Sequence, residues 1–230
     1  MDMVVTGVIW YAAFVFSATF HEAAHALVAK RGGDLTAYLG GQVTLDPWPH
    51  IRREPIGMVV IPILSFVLGG FVMGYASAPM NAEWSLRHPR RAGYVSLAGP
   101  VSNFVLAFLA AIGIRLGSLL GAFVPATRTG LGGVAVASPS AGAVAGAVAI
   151  LFSVMFALNL ALFLFNLIPV PPMDGFGIIP IFLSDEQGHR FQLQRREVQR
   201  MAFLGLIVAW KLFPYIFRPT FAFARSVLFL

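Results

Sequence analysis

The stretch FHEAAH at residues 20–25 lies inside an apolar run that extends over residues 3–29. A run of this length suffices for one membrane-spanning helix, which needs about 20 apolar residues. Residues four apart share one face of a helix, so His21 and His25 can direct two imidazoles at one metal ion. Because ionisable side chains are costly inside a membrane and usually functional there, the stretch predicts a metal site within a membrane helix.

The composition of the whole chain is typical of a multi-pass membrane protein. Of its 230 residues, 58% are hydrophobic and only 11% are charged, and the mean hydropathy is +0.79. Soluble domains carry about 25% charged residues, so this chain could not cover a water-facing surface with polar groups. A soluble globular enzyme and a disordered protein are therefore excluded. The absence of cysteine excludes thiolate metal ligands and cysteine nucleophiles.

Long apolar runs alternate with polar or Gly- and Pro-rich segments along the chain. These runs cover residues 3–29, 56–78, 94–120, 141–167 and 201–217. The second run is broken by Pro62 and by Gly69-Gly70, which favours a bent hairpin or a re-entrant element. Residues 121–139 are predicted to form a loop, and residues 220–230 are too short to span alone. We therefore predict an all-α, polytopic membrane helix bundle of about five to six transmembrane or re-entrant segments, folded as one domain over residues 1–230.

Basic side chains give the expected orientation of the bundle. The net charge of +6 comes mostly from short loops, where Lys and Arg mark cytoplasmic ends, so it indicates topology and not nucleic-acid binding. The basic residues that flank the apolar runs are Lys30, Arg31, Arg52, Arg53, Arg87, Arg90, Arg91, Arg190, Arg195, Arg196 and Arg200. The loop between the third and fourth runs has only Arg128. The pattern predicts an external N-terminus and a metal site toward the cytoplasmic side of the cell membrane.

A third metal ligand is needed, because catalytic zinc usually takes three protein ligands and leaves one position for water. Asp174 is the strongest candidate, since it follows an apolar helix in the stretch NLIPVPPMDG at residues 166–175. The prolines stop the helix and leave an irregular segment that presents a carboxylate at membrane depth. The alternative is an ordinary turn, in which Asp-Gly is a common pair. His50, His88 and His189 remain as other candidates.

Three motifs together resemble the site-2 protease family of intramembrane zinc metalloproteases. They are the H-E-x-x-H at residues 21–25, the A-G-P-x-x-N at residues 98–103 and the N-L-x-P-x-P-x-x-D-G at residues 166–175. They occur in the order of the family and span most of its core. The resemblance implies a three-helix metalloprotease core. The stretch TLDPWPH at residues 44–50 and, after the second apolar run, LRHPRR at residues 86–91 are similar to a compact prokaryotic branch of the family. An inserted PDZ-type domain and a following pair of CBS domains are not expected.

The resemblance also implies roles for individual residues. His21, His25 and Asp174 match the three ligands of one zinc ion per chain. Glu22 matches the general base that activates the zinc-bound water. Asn166 matches an asparagine that holds the substrate backbone or the developing oxyanion. Asn103, at the end of the second motif, matches a structural or site-lining asparagine.

The function implied by the resemblance is hydrolysis of a peptide bond within or near a transmembrane helix. The partners are then the lipid bilayer and a membrane-protein substrate whose helix unwinds locally, and no nucleic acid. One alternative is a non-proteolytic scaffold or chaperone that retains the zinc site, which predicts a degenerate site, whereas Glu22 is intact. Another is a metal transporter, which favours polar residues at several depths, whereas this sequence clusters them at one level.

Two weaker features complete the sequence analysis. His50 follows a Pro-rich turn beside Asp46, and it is interpreted as an interfacial polar residue, with a water channel or a second metal as alternatives. Residues 187–200 are predicted to form an amphipathic surface helix.

Overall fold

The computed structural model describes residues 3–127 and 133–230, and most of them are helical. The helices are α1 Met3–Gly32, α2 Thr36–Leu39, α3 Pro47–Arg53, α4 Ile61–Gly69, α5 Ala82–Arg87, α6 Pro89–Leu119, α7 Ala143–Asn166, α8 Asp174–Ile178, α9 Asp185–Val198 and α10 Ala202–Leu228. A π-helical turn at Ile56–Val60 precedes α4, and 3-10 turns at Ile179–Phe182 and Gln199–Met201 follow α8 and α9.

Within the described residues, four helices are long and apolar enough to cross a membrane. They are Val4–Gly32, Pro89–Leu119, Ala143–Asn166 and Gln199–Leu228. The chain is therefore mostly helical with the elements of a multi-pass membrane protein, as predicted. A fifth apolar segment, Ile56–Gly69, is helical but short.

The core of the bundle consists of α1, α6 and α7, each of which packs against the other two. Small residues on α6, among them Gly99, Ala107 and Ala110, are buried and let the helices approach closely. Phe156 on α7 packs in one cluster with Ala107 and Ala110, and Phe14 on α1 packs in a second cluster with side chains of α7. α10 packs mainly on α7 and is the least buried of the four long helices.

The second apolar run does not form a full span. The π turn leads into α4, which ends at Gly69. Gly70 then adopts a left-handed conformation with φ of 72°, which glycine allows without steric cost. The chain then returns without regular secondary structure over residues 71–81. On this return, the backbone N–H of Tyr75 donates to the carbonyl of Gly57 at 3.1 Å.

Two sequence predictions differ from the structure in detail. The predicted loop at residues 121–139 contains a short antiparallel pair, β1 Phe123–Pro125 with β2 Ala135–Ala137, and Arg128 lies outside the described residues. Residues 220–230 do not form a separate short segment, because α10 continues through Pro214 and Pro219. Membrane helices tolerate internal prolines when neighbouring groups satisfy the freed backbone atoms.

Candidate metal centre

Three side chains from distant parts of the chain converge at the predicted metal site. The Nε2 atoms of His21 and His25 lie 3.0 Å apart. Asp174 Oδ2 lies 3.1 Å from His21 Nε2 and 3.4 Å from His25 Nε2. Ligands about 2.0–2.2 Å from a tetrahedral zinc are roughly 3.3–3.5 Å from one another. The donor set therefore fits a zinc ion in both chemistry and spacing.

The other nitrogen of each imidazole is held by an acceptor. His21 Nδ1 donates to Asn103 Oδ1 at 2.5 Å, and His25 Nδ1 donates to the carbonyl of Val95 at 2.6 Å. Because each Nδ1 carries the proton, each Nε2 presents a lone pair. Two lone pairs and a carboxylate then face one another in a buried place, which favours a cation among them.

Asp174 reaches the site because the helical path of the chain ends after α7. α7 ends at Asn166, and α8 begins at Asp174 with Met173 as its N-cap residue. The carboxylate lies against the imidazoles and does not cap α8, which favours the ligand interpretation over that of an ordinary turn. Gly175 permits this path, since a Cβ there would collide with the backbone carbonyls of Leu167 and Ile168.

Glu22 lies beside the three converging side chains and is also buried. His21, Glu22 and His25 each offer a ligand atom, and these atoms lie within 4.8 Å of one another. Asp174 makes the closer approach to the two Nε2 atoms, which leaves the carboxylate of Glu22 next to the predicted metal position.

Gly99 on α6 lies directly against the two imidazoles. A Cβ at this position would collide with Nε2 of both His21 and His25, so the A-G-P-x-x-N motif supplies the space in which the rings converge. The absence of a side chain at Gly99 is thus part of the geometry of the site.

Replacement of Gly99 with alanine is expected to weaken zinc binding about tenfold. Overpacking of this kind costs about 1–3 kcal/mol, and about 1.4 kcal/mol corresponds to a factor of ten in affinity. Zinc affinity of the purified protein, measured by competition with a chromogenic chelator, tests this. Gly146→Ala on α7 is the control, because a Cβ there meets none of the described residues within 4 Å. Equal affinities of the two variants would contradict the expectation.

The site opens onto a cavity of about 1020 Å³. Its walls come from α1, the extended return at residues 71–80, α7 and α10, and its lining includes Glu22, Asp174 and Asn166. Asn166 donates from Nδ2 to the carbonyl of Leu162 at 3.0 Å. One of its two N–H groups is therefore used within α7. The cavity is mostly apolar, as binding sites for apolar segments usually are.

Arg195 on α9 is a cavity-lining residue that the sequence analysis did not single out. It shares the cavity with Asp174, its Nε is buried without a partner among the described residues, and Gln192 on the same helix is buried. The amphipathic surface helix predicted over residues 187–200 is therefore present as α9, most of whose side chains are exposed, with Gln192 and Arg195 on its inner side. Burial lowers the pKa of Arg195, and the negative charge of Asp174 opposes this shift. No signal in the sequence distinguished Arg195 from its basic neighbours.

The three other histidines lie away from the metal site. His50 is 1% exposed, and its Nε2 lies 3.2 Å from the carbonyl of Thr44, so its side chain is buried within the protein. Asp46 caps α3 by accepting from the N–H of Trp48. His88 packs on the ring of Trp84. His189 lies with Nδ1 3.0 Å from the carbonyl of Leu86.

Comparisons with known proteins give the family and the relatives to which this sequence is similar. The model of peptidase family M50 matches residues 9–210. The Bacillus subtilis protein named "Putative zinc metalloprotease YwhC" is 38% identical over 171 residues, which cover 72% of this chain and 64% of that protein. The Mycobacterium tuberculosis protein named "Putative zinc metalloprotease Rip2" is 30% identical over 175 residues, or 76% of this chain and 57% of that protein. The matched region is thus less than two thirds of each relative. No solved structure matches the chain.

Proposed function

The chain belongs to peptidase family M50, the site-2 protease family of metalloproteases, and we propose that it is a zinc-dependent endopeptidase that cleaves a peptide bond within or near a transmembrane helix. The observation that carries the proposal is the convergence of His21, His25 and Asp174 beside Glu22, at the wall of a large cavity. One zinc ion per chain, held by the three converging side chains, completes the site.

The depth of the site supports a membrane-embedded substrate. α1 ends at Gly32, eleven residues after His21, which corresponds to about 16 Å along the helix axis. The hydrocarbon core of a bilayer is about 30 Å thick. If α1 crosses the bilayer, a peptide bond must reach well into it to be cleaved. A helical substrate keeps its carbonyls in internal hydrogen bonds, so the substrate must unwind locally before it reacts.

The proposed peptide hydrolysis uses only a few side chains of the cavity wall. When bound, zinc supplies a Lewis acid that polarises a carbonyl and acidifies water. Glu22, next to the ligands, accepts a proton from the attacking water and returns it to the leaving amine. Asn166 lines the cavity, and its second N–H, which has no acceptor among the described residues, is directed in this proposal to the developing oxyanion. Arg195 lines the same cavity and adds positive charge near Asp174.

The proposed orientation places the site toward the cytoplasmic side of the cell membrane. Lys30 and Arg31 lie in the last turn of α1, a short distance beyond the metal site. Arg90 and Arg91 lie in the first turn of α6, which packs beside α1. Excess Lys and Arg near the ends of spans marks the cytoplasmic side.

The proposal is tested with the purified full chain and a panel of single-pass membrane proteins in detergent or nanodiscs. We expect cleavage that a chelator abolishes and that zinc restores, with the cut mapped by mass spectrometry inside or near the apolar segment. Stoichiometric zinc without cleavage of any panel member would favour a non-proteolytic scaffold instead. Absence of zinc from the folded protein would overturn the proposal.

Asn166→Ala is expected to lower kcat about a hundredfold, because the loss of one oxyanion donor typically costs about 10²–10³ in rate. Zinc content and KM are expected to change little, since Asn166 is not a ligand. Steady-state kinetics on a cleaved substrate, with zinc measured in the same preparation, checks this split. A variant that loses its zinc, or that changes KM alone, would assign Asn166 a different role.

A further inference from the structure

We propose that Asn159 on α7, which donates to the backbone carbonyl of Met155, is a positioning residue for the metal site. Asn159 determines which end of the Asn103 amide faces His21, and thereby which nitrogen of His21 is free to bind zinc. The inference rests on the proposed zinc site, but it concerns a part of the protein that neither the family motifs nor the converging ligands include.

A continuous hydrogen-bonded chain leads from His21 through the three core helices. His21 Nδ1 donates to Asn103 Oδ1 at 2.5 Å. Asn103 Nδ2 donates to Asn159 Oδ1 at 2.8 Å. Asn159 Nδ2 donates both to Ser17 Oγ and to the carbonyl of Met155, each at 2.9 Å.

The direction of this chain is determined at its far end. The carbonyl of Met155 can only accept a hydrogen bond, so Asn159 must turn its Nδ2 toward it and its Oδ1 toward Asn103. Asn103 must then offer Nδ2 to that oxygen, which leaves its own Oδ1 for His21. Because Oδ1 can only accept, His21 carries its proton on Nδ1 and keeps the lone pair of Nε2 for the metal.

The opposite orientation would be costly in two places. With the amide of Asn103 reversed, its Nδ2 would face His21 Nδ1 and favour a proton on Nε2, at the position of the metal–ligand bond. Two amide oxygens would also face each other between Asn103 and Asn159. Ser17, Asn103 and Asn159 are all 0% exposed, so bulk water does not compensate an unpaired polar atom there.

The experiment compares the zinc affinity of the full-length protein with that of Asn159→Leu, which has similar volume and no acceptor. We expect affinity ten- to a hundredfold weaker, the range typical for loss of a group that orients a ligand. Ser153→Ala is the matched control. Ser153 is also fully buried on α7 and hydrogen-bonds the backbone of Ala135, but it takes no part in the hydrogen bonds that lead from His21 to Asn159. It is expected to lower the melting temperature and leave zinc affinity unchanged.

A double-mutant cycle separates positioning from general destabilisation. If Asn159 acts through Asn103, Asn159→Leu has no further effect on zinc affinity in an Asn103→Leu background. Additive losses, or an Asn159→Leu protein with the affinity of the unmodified chain, would overturn the inference. Should Asn159→Leu fail to fold, Asn159→Ser takes its place. A hydroxyl can donate or accept, so serine no longer dictates the direction of the hydrogen bonds that lead to His21.

A spectroscopic measurement reports on the tautomer without zinc or activity. In the zinc-free protein labelled with ¹⁵N-histidine, we expect His21 as the Nδ1–H tautomer, and a shift toward Nε2–H in Asn159→Leu. Unchanged tautomer populations would overturn the inference while leaving the proposed protease function intact. Failure of the unmodified protein to bind zinc would instead count against the proposed function, and the tautomer measurement would still decide the role of Asn159.

Discussion

Replacement of Glu22 with glutamine is expected to reduce peptide cleavage by about 10²–10⁴-fold, the range that general acid–base catalysis contributes, and to leave one zinc ion per chain. The amide has nearly the shape of the carboxylate but cannot accept the proton of water at neutral pH. The three side chains that converge on one point are His21, His25 and Asp174, so the ligand set stays complete. Metal analysis of the purified variant and mass-spectrometric detection of cleavage check both halves of the expectation.

Glu186→Gln is the control for this experiment. It makes the same chemical change at an exposed position on α9, where Glu186 pairs only with Arg190 of its own helix among the described residues, and we expect normal cleavage. Appreciable cleavage by Glu22→Gln would show that another group accepts the proton. Loss of zinc from Glu22→Gln would make Glu22 a ligand instead of a base.

Replacement of Asp174 with alanine is expected to remove zinc and cleavage together. A complete zinc site in a small domain is worth about 10–16 kcal/mol, so one of its ligands contributes enough to weaken binding roughly a hundredfold or more. The measurement is zinc affinity by chelator competition, with zinc content after gel filtration as a second readout. Asp185→Ala serves as the control, because Asp185 is exposed and its carboxylate lies 3.5 Å from Arg90 on the surface.

The two experiments also distinguish the possible ligand sets. His21, Glu22 and His25 by themselves form a cluster of potential ligands, so a zinc ion held by these three is the competing arrangement. That arrangement predicts that Asp174→Ala keeps its zinc and that Glu22→Gln loses it. The arrangement proposed here predicts the reverse, and one metal analysis of both proteins decides between them.

Several features of the fold were accessible from the sequence because they depend on local periodicity. The apolar runs predicted α1, α6 and α7 to within a few residues, since about 20 apolar residues in a row favour a membrane helix wherever they occur. The proximity of His21 to His25 follows from the helical repeat alone. The break after α7 follows from three prolines that cannot continue a helix.

Other features of the fold could not be predicted from the sequence, because they depend on contacts between residues that are far apart along the chain. The run at residues 56–78 was predicted to be broken at Gly69-Gly70, and α4 does end at Gly69, but only the packing shows the extended return along the cavity. Residues 220–230, too short to span alone, extend α10 beyond the run predicted at residues 201–217. His50 and Arg195 were taken for surface residues, because burial of a polar side chain depends on elements that composition does not identify.

The sequence by itself determined the class of protein, the helical pair of histidines and, through three motifs, the family. It also named Asp174, but from the sequence residues alone the ligand and turn interpretations stayed equally open. Only the tertiary structure brought Asp174 to His21 across 153 positions of chain and connected His21 through Asn103 to Asn159. The physical reason is that a helix relates residues three or four apart by its own geometry, whereas a carboxylate and an imidazole this distant meet only when the packing of α1, α6 and α7 determines where the chain after α7 must go.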